Sequence, residues 1–90
     1  MITNINYTSR CKKDLEKARK QKRDLNTLTL VIQLLSRGEP LPLKFKNQRL
    51  LGNYVGRREC HWGPDFLLIY CIGDKELTLE RLGTHSQLFR

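Results

Sequence analysis

The chain has 90 residues, the length of one domain, and a chain this short buries only about 60–65% of the surface it exposes when unfolded, so its core is small. Apolar residues at 39% and charged residues at 29% exclude a disordered chain; no apolar run approaches the ~18 residues of a membrane span, and no basic-then-apolar leader opens the chain, so the expected location is the cytoplasm, off the membrane. Seventeen Lys and Arg against nine Asp and Glu leave a net charge of +8, a field that draws polyanions, with nucleic acid the first expected partner and an acidic protein the second.

Ile2–Tyr7 alternates Ile and Asn as a strand does, and Thr8 or Ser9 can cap the helix that follows. Residues 9–23 are helix formers whose apolar members, Cys11, Leu15 and Ala18, form a thin stripe. Residues 1–23 hold eight of the basic residues against two acids; a solvated helix face and a polyanion-binding face both fit that run. A short basic turn near Lys20–Asp24 leads to a second helix, capped by Asp24 or Asn26. Leu25, Leu28, Ile32 and Leu35 recur on one side of it, and Val31 and Leu34 widen the stripe. Gly38 is its stop, and Pro40 and Pro42 prevent its resumption.

Beyond the prolines the period changes to two. Leu50–Tyr54, Arg57–Trp62, Phe66–Ile72 and Glu76–Leu82 read as strands, separated by short turns at Val55-Gly56, Gly63-Pro64-Asp65 and Gly73-Asp74-Lys75. Connections this short imply an antiparallel meander, and Phe66–Ile72 is apolar enough to lie centrally, covered on both faces. The order is β-α-α-β-β-β-β with a short tail at 84–89. The expected class is α+β, two N-terminal helices on one face of a mainly antiparallel sheet, leaving the other face for function. No internal repeat or linker divides residues 1–90, so a single domain is expected.

The chemistry concentrates in the C-terminal half. Arg57, Glu59 and His61 alternate and so share one strand face, while Cys60 and Trp62 turn to the other. Asp65 lies in the next hairpin turn, and Arg81 precedes the Gly83-Thr84-His85 turn that can carry His85 back over the sheet. Imidazole, carboxylate and guanidinium groups together suit cleavage of an RNA phosphodiester: a base takes the 2′-OH proton, an acid protonates the leaving 5′-oxygen, and cations hold the phosphoryl oxygens. The three cysteines, Cys11, Cys60 and Cys71, cannot all pair and show no C-x-x-C spacing. With the histidines they match no standard zinc pattern, so neither a disulfide scaffold nor a metal or other cofactor is expected. No nucleotide-binding or nucleophile-elbow fingerprint appears. From residue types alone, a ribonuclease and a basic RNA-binding module with incidental histidines both stand.

The run LLGNYVGRRECHWGPDFLLIY at 50–70 resembles the "L-x-G-x-Y/W-x-G-x-R-x-x-H-x-x-P-D-W/F-x-L-I-Y" core of the YafQ branch of RelE-like toxins. The ending RLGTHSQLF at 81–89 is similar to that branch's "R-x-G-T-H-x-x-L-F" terminus. The resemblance spans nearly the whole chain. It implies a RelE-like microbial RNase fold and the toxin of a type II toxin–antitoxin system: a metal-independent mRNA interferase, restrained by a cognate antitoxin, acting on mRNA in the ribosomal A site. It implies, too, a toxin–antitoxin complex that binds operator DNA. By motif, His61, Asp65, Arg81, His85 and Phe89 fall on the family's active-site positions, with Glu59 beside them. On this reading His85 is the general acid, Asp65 or Glu59 the base, His61 orients or shares the base role, and Arg81 steadies the phosphoryl oxygens. Phe89 either stacks on a nucleobase or closes the core. The branch often carries a His just before the strand near Leu50, where this chain has Asn47-Gln48-Arg49. Gln48 exchanges no proton near neutral pH, so either that role is dispensable, or catalysis is weaker, or Lys44, Lys46 and Arg49 provide a different phosphate grip; the expected substrate-binding residues are Phe89, Arg57, Lys44, Lys46 and Arg49. A non-catalytic relative of the gyrase-poisoning ParE toxins is the alternative.

Overall fold

The computed structural model describes residues 2–89. Helix α1 (Ser9–Lys20) begins where Thr8 accepts the Cys11 N–H on its hydroxyl at 3.0 Å, satisfying one of the open donors of the first turn. Lys17, Arg19 and Lys20 fill the last turn, favourable at the negative end of the helix dipole. The helix stops three residues short of the expected 23 because Lys22 takes a left-handed conformation at φ 58°. Helix α2 (Asn26–Ser36) starts with the Asp24 carboxylate accepting the Asn26 N–H at 2.9 Å. It ends as expected at Gly38, whose positive φ of 72° lets Glu39 N–H return to the Leu34 carbonyl.

The sheet has five strands, β1 (Asn4–Tyr7), β2 (Gln48–Arg49), β3 (Arg58–Gly63), β4 (Phe66–Ile72) and β5 (Glu76–Gly83), in the order β1-β5-β4-β3-β2. β2 to β5 form the antiparallel meander; β1 joins the edge of β5 in parallel, the arrangement the long helical connection between them permits. The expected strand at Leu50–Tyr54 is a correction. Pairing is confined to Gln48 and Arg49, after which Gly52 (φ 68°) and Gly56 (φ 86°) turn left-handed around a 3₁₀ turn at Gly52–Tyr54. The tail is also ordered: α3 (His85–Leu88) is a single turn closed by a capping box between Thr84 and Gln87.

β4 is covered on both faces, as its composition requires. Leu68 and Tyr70 join Cys60, Trp62, Leu77, Leu79 and Leu82 against Cys11, Leu28, Val31 and Leu35 of the helices. Leu67 and Ile69 point the other way, under Leu50, Tyr54 and Leu88. Each of these fully buried side chains contributes about 1.5–3 kcal/mol, so the loop and α3 hold a small second core on the face that carries the charged residues. Among the described residues no helix is long and apolar enough to cross a membrane.

All three cysteines are free thiols. Burial pushes Cys11 and Cys60 up to about 12, with the Asp14 and Glu59 carboxylates adding to the shift. In the folded protein near neutral pH a thiol reagent should therefore titrate Cys71 alone, and the other two only after denaturation. Because the folded values lie above the ordinary 9.0, this part of the stability is complete below about pH 9. It is lost as pH rises from there towards 12, which urea titrations across that range will register.

Candidate active site

Two irregularities in the sheet place the charged residues. In the β4–β5 ladder Ile69 faces Arg81 while its neighbour Tyr70 faces Leu79, so Glu80 is an extra, bulged residue. Leu77 and Leu79 face the helices; without the bulge Arg81 would follow them into the core. With it, Arg81 lies beside Ile69 on the open face. In the β3–β4 ladder Trp62 is the extra residue, between His61 paired with Leu67 and Gly63 paired with Phe66. His61 keeps the open face, and Trp62 is buried with its Nε1–H donating to the Leu67 carbonyl at 3.1 Å.

β1 ends at its pairing with Leu79, which leaves the rest of the β5 edge to α1. Thr8 donates its hydroxyl to the Glu80 carbonyl at 2.7 Å, and the Asp14 carboxylate accepts the Leu82 N–H at 3.1 Å. Asp14 also takes Arg81 in a two-point grip, from Nε at 2.7 Å and Nη2 at 3.2 Å. The Tyr54 hydroxyl lies beside the same guanidinium. Arg81 is raised above its ordinary value chiefly by the Asp14 hydrogen bond, with the Asp14 charge and Tyr54 adding and burial opposing. It is a fixed cation at any working pH.

Around Arg81 the side chains form two imidazole–carboxylate pairs. His61 Nε2 stands 3.9 Å from Glu59 Oε2; Glu59 is buried, only 3% exposed, while His61 is part-buried. Gln48, opposite Glu59 in the ladder, donates to the same Oε2 at 3.2 Å. His85 Nδ1 stands 3.6 Å from Asp65 Oδ1, with side chains 56% and 64% exposed. The two imidazole rings are 5.9 Å apart, centre to centre. Both His–carboxylate distances exceed a hydrogen bond, leaving room for each pair to tighten on a bound substrate. Phe89 is 38% exposed, 5.8 Å from the His85 ring and edge-on to Tyr54 at 5.7 Å. It closes one side of the cluster and keeps a free face.

His61, Asp65, His85, Glu59 and Phe89 thus meet on the open face, and Arg81 joins them through Tyr54. Lys44 and Lys46 line a cleft of about 370 Å³ together with His61 and Gly63-Pro64. Arg57 reaches the same face but is committed elsewhere: its Nε lies 3.4 Å from Glu80 Oε2, and Nη1 donates to the Val55 carbonyl. Arg49 is not brought to the cluster, because it pairs with Arg58, one residue out of phase with Gln48 and Glu59. Tyr54 and Asp14 are the residues that sequence reasoning missed. Tyr54 is an aromatic between two turn-forming glycines, and Asp14 is one of only two acids in a run of cations, the other, Glu16, being paired with Lys20; each is the signal that could have marked it.

The family model for the bacterial toxin of type II toxin–antitoxin systems, YafQ, matches residues 3–90. The chain belongs to the YafQ toxin family. The mRNA interferase toxin YafQ of Escherichia coli strain K12 is 41% identical over 86 residues, 94% of either chain. A copper-bound mutant toxin from Helicobacter pylori superposes with a TM-score of 0.94 at 39% identity, covering 99% of this chain and 100% of that one. YafQ in the Escherichia coli DinJ–YafQ toxin–antitoxin complex superposes at 0.88 with 40% identity, covering 96% of both. Among the described residues of the present YafQ-family chain, no group of three or more His, Cys, Asp or Glu side chains is placed to hold a metal ion.

The Asp14 grip has a measurable consequence. Asp14→Ala leaves both the Arg81 guanidinium and the Leu82 N–H without their partner, and it should cost about 2–4 kcal/mol of stability in urea denaturation. Asp14→Asn keeps an acceptor for Leu82 and should lose less. A midpoint unchanged by Asp14→Ala would show the grip to be dispensable.

Proposed function

We propose that this YafQ-family chain is the toxin of a type II toxin–antitoxin pair and that it cleaves mRNA without a metal, using the His61–Glu59 and His85–Asp65 pairs on either side of the scissile phosphate. The observation that carries the reading is the placement of two imidazole–carboxylate pairs with a fixed arginine on one sheet face. A phosphodiester cleaved by its own 2′-OH needs one proton removed and another supplied, at positions on opposite sides of phosphorus.

Asp65 stands against His85, so it orients the acid, and the base falls to the other pair. Glu59, aided by His61, accepts the 2′-OH proton. The 2′-oxygen bonds to phosphorus as the bond to the 5′-oxygen breaks, and His85 delivers its proton to that leaving oxygen. The products are a 2′,3′-cyclic phosphate and a free 5′-hydroxyl. Arg81 holds the charge on the non-bridging oxygens, aligned in advance by Asp14. Phe89 offers its free face to a base, and Lys44 and Lys46 receive a flanking phosphate. Gln48 anchors the Glu59 carboxylate and transfers no proton itself.

Family membership supports a cognate antitoxin as the partner. An acidic segment that orders across the basic surface would neutralise the field that draws RNA. The same membership supports the ribosomal A site as the place of action and operator DNA as a target of the toxin–antitoxin complex.

Purified protein in EDTA, with and without ribosomes, should cleave a single-stranded RNA. His85→Ala and Glu59→Gln should each lower the rate by ~10²–10⁴-fold while RNA and antitoxin binding persist. Cleavage confined to the ribosome lane assigns the A site. No cleavage in either lane by a folded wild type would overturn the enzyme reading in favour of a binding toxin.

A further inference from the structure

On the α1 side of Arg81, the helix, the adjoining ends of β3 and β4, the end of β5 and α3 enclose a half-open cleft of about 320 Å³. Lys17, Gln21 and Arg23 line it from α1 and the following turn, Phe66 from β4, and Arg81 and Gln87 from the side of the histidines. Three cations therefore meet a single carboxylate, Asp14, and that carboxylate is committed to Arg81 and the Leu82 N–H. Neither Lys17 nor Arg23 enters an ion pair among the described residues. Arg23 is nonetheless fixed: its guanidinium carbon lies 3.9 Å from the centre of the Phe66 ring, and its Nε donates to Gln21 Oε1 at 3.2 Å. The remaining N–H donors of the fork carry no partner among the described residues.

We propose that Lys17 and Arg23 form a second phosphate site, which holds the RNA strand away from the bond being cut. The proposal rests on the ribonuclease reading of the histidine cluster and extends it to the path of the substrate. A strand with its scissile phosphate at Arg81 can continue across the open sheet face or over the β5 edge into this cleft. The open face leads to Glu80 and, farther along the strand, Glu76, and its nearest cation, Arg57, is already paired with Glu80. Among the described residues the Glu80–Arg57 pair leaves no free cation there, and the Glu76 carboxylate, which enters no ion pair, repels the strand. The cleft offers a preoriented guanidinium, matched to phosphate by its fork of donors, and a mobile ammonium beside it. The aromatic floor under Arg23 keeps the guanidinium in place without neutralising it.

Equilibrium binding of RNA blocked at the 2′-OH by methylation tests the site independently of cleavage. In the wild type a longer oligomer should bind more tightly than a dinucleotide. The Lys17→Gln/Arg23→Gln double variant should lose roughly 10-fold or more of the longer oligomer's affinity, collapsing that ratio, and its log–log salt slope should become shallower by about 0.7 for each lost contact. The control Lys12→Gln/Arg37→Gln removes the same charge elsewhere; Lys12 stands about 140° round α1 from Lys17. It should match the wild type in ratio and slope.

An unchanged ratio in the cleft variant overturns the proposal. So does a variant that keeps its RNA affinity and loses that for an acidic antitoxin peptide, since the cleft then belongs to a protein partner. Failure of the wild type to cut unmodified RNA would remove the ribonuclease reading instead, and is seen in a separate assay.

Discussion

The extra residue at Glu80 is the constraint on which the site depends. A strand alternates faces at every step, and β5 enters the sheet with Leu77 and Leu79 packed under the helices. Continued regularly, that alternation would drive the Arg81 guanidinium into the apolar core, where an unpaired charge costs several kcal/mol. The bulge reverses the phase, so Leu82 takes the core position opposite Leu68, and Arg81 moves to the open face. It also disrupts the strand edge just where β1 gives out. Thr8 and Asp14 of α1 supply the missing hydrogen-bond partners, and Asp14 fixes Arg81 in the same stroke. Helix, edge and the Arg81 guanidinium are thus coupled through one carboxylate.

The open face could not be left merely polar. Leu67 and Ile69 emerge on it from the central strand and are fully buried, which obliges the chain to cover them. The glycine-bounded turn bearing Tyr54 and the single-turn α3 bearing Leu88 do so. α3 begins at His85 and is followed by Phe89, so the helix that closes the second core also places the His85 and Phe89 rings of the cluster. A four-residue helix has little stability of its own. The Thr84–Gln87 capping box and the packing of Leu88 are what hold His85 in range of Asp65.

Much of this was legible in the sequence where local periodicity and tertiary packing agree. The Leu-rich helix with its Gly38 stop, the doubly covered β4, and the shared face of Arg57, Glu59 and His61 all follow from spacing alone. Alternation served for His61 because the bulge of β3 comes after it, at Trp62. It failed for the stretch 50–54, where apolar residues read as a strand but Gly52 takes a conformation that ends one. It was silent on Arg57 and Arg49, since exposure and strand phase do not reveal that Glu80 claims the first or that the second lies out of phase with Glu59. The role of Asp14 needed the parallel edge of β5, a contact across 67 residues of sequence that no local pattern encodes.

The two basic blocks of the sequence acquire a common meaning once folded. Residues 1–23 bring Lys17 and Arg23 to one side of the histidines, and residues 44–58 bring Lys44 and Lys46 to another. Between them stand three carboxylates, Asp14, Glu59 and Asp65, that would repel a phosphate if left free. Each has a local partner: Arg81, Gln48 with His61, and His85. The carboxylates act on neighbouring side chains at contact range, while the unpaired lysines and arginines set the field at longer range. The positive surface therefore flanks a centre in which each carboxylate already has a neighbour of its own. The excess charge of +8 is a property of the flanks, and the imidazole–carboxylate cluster occupies the nearly balanced middle.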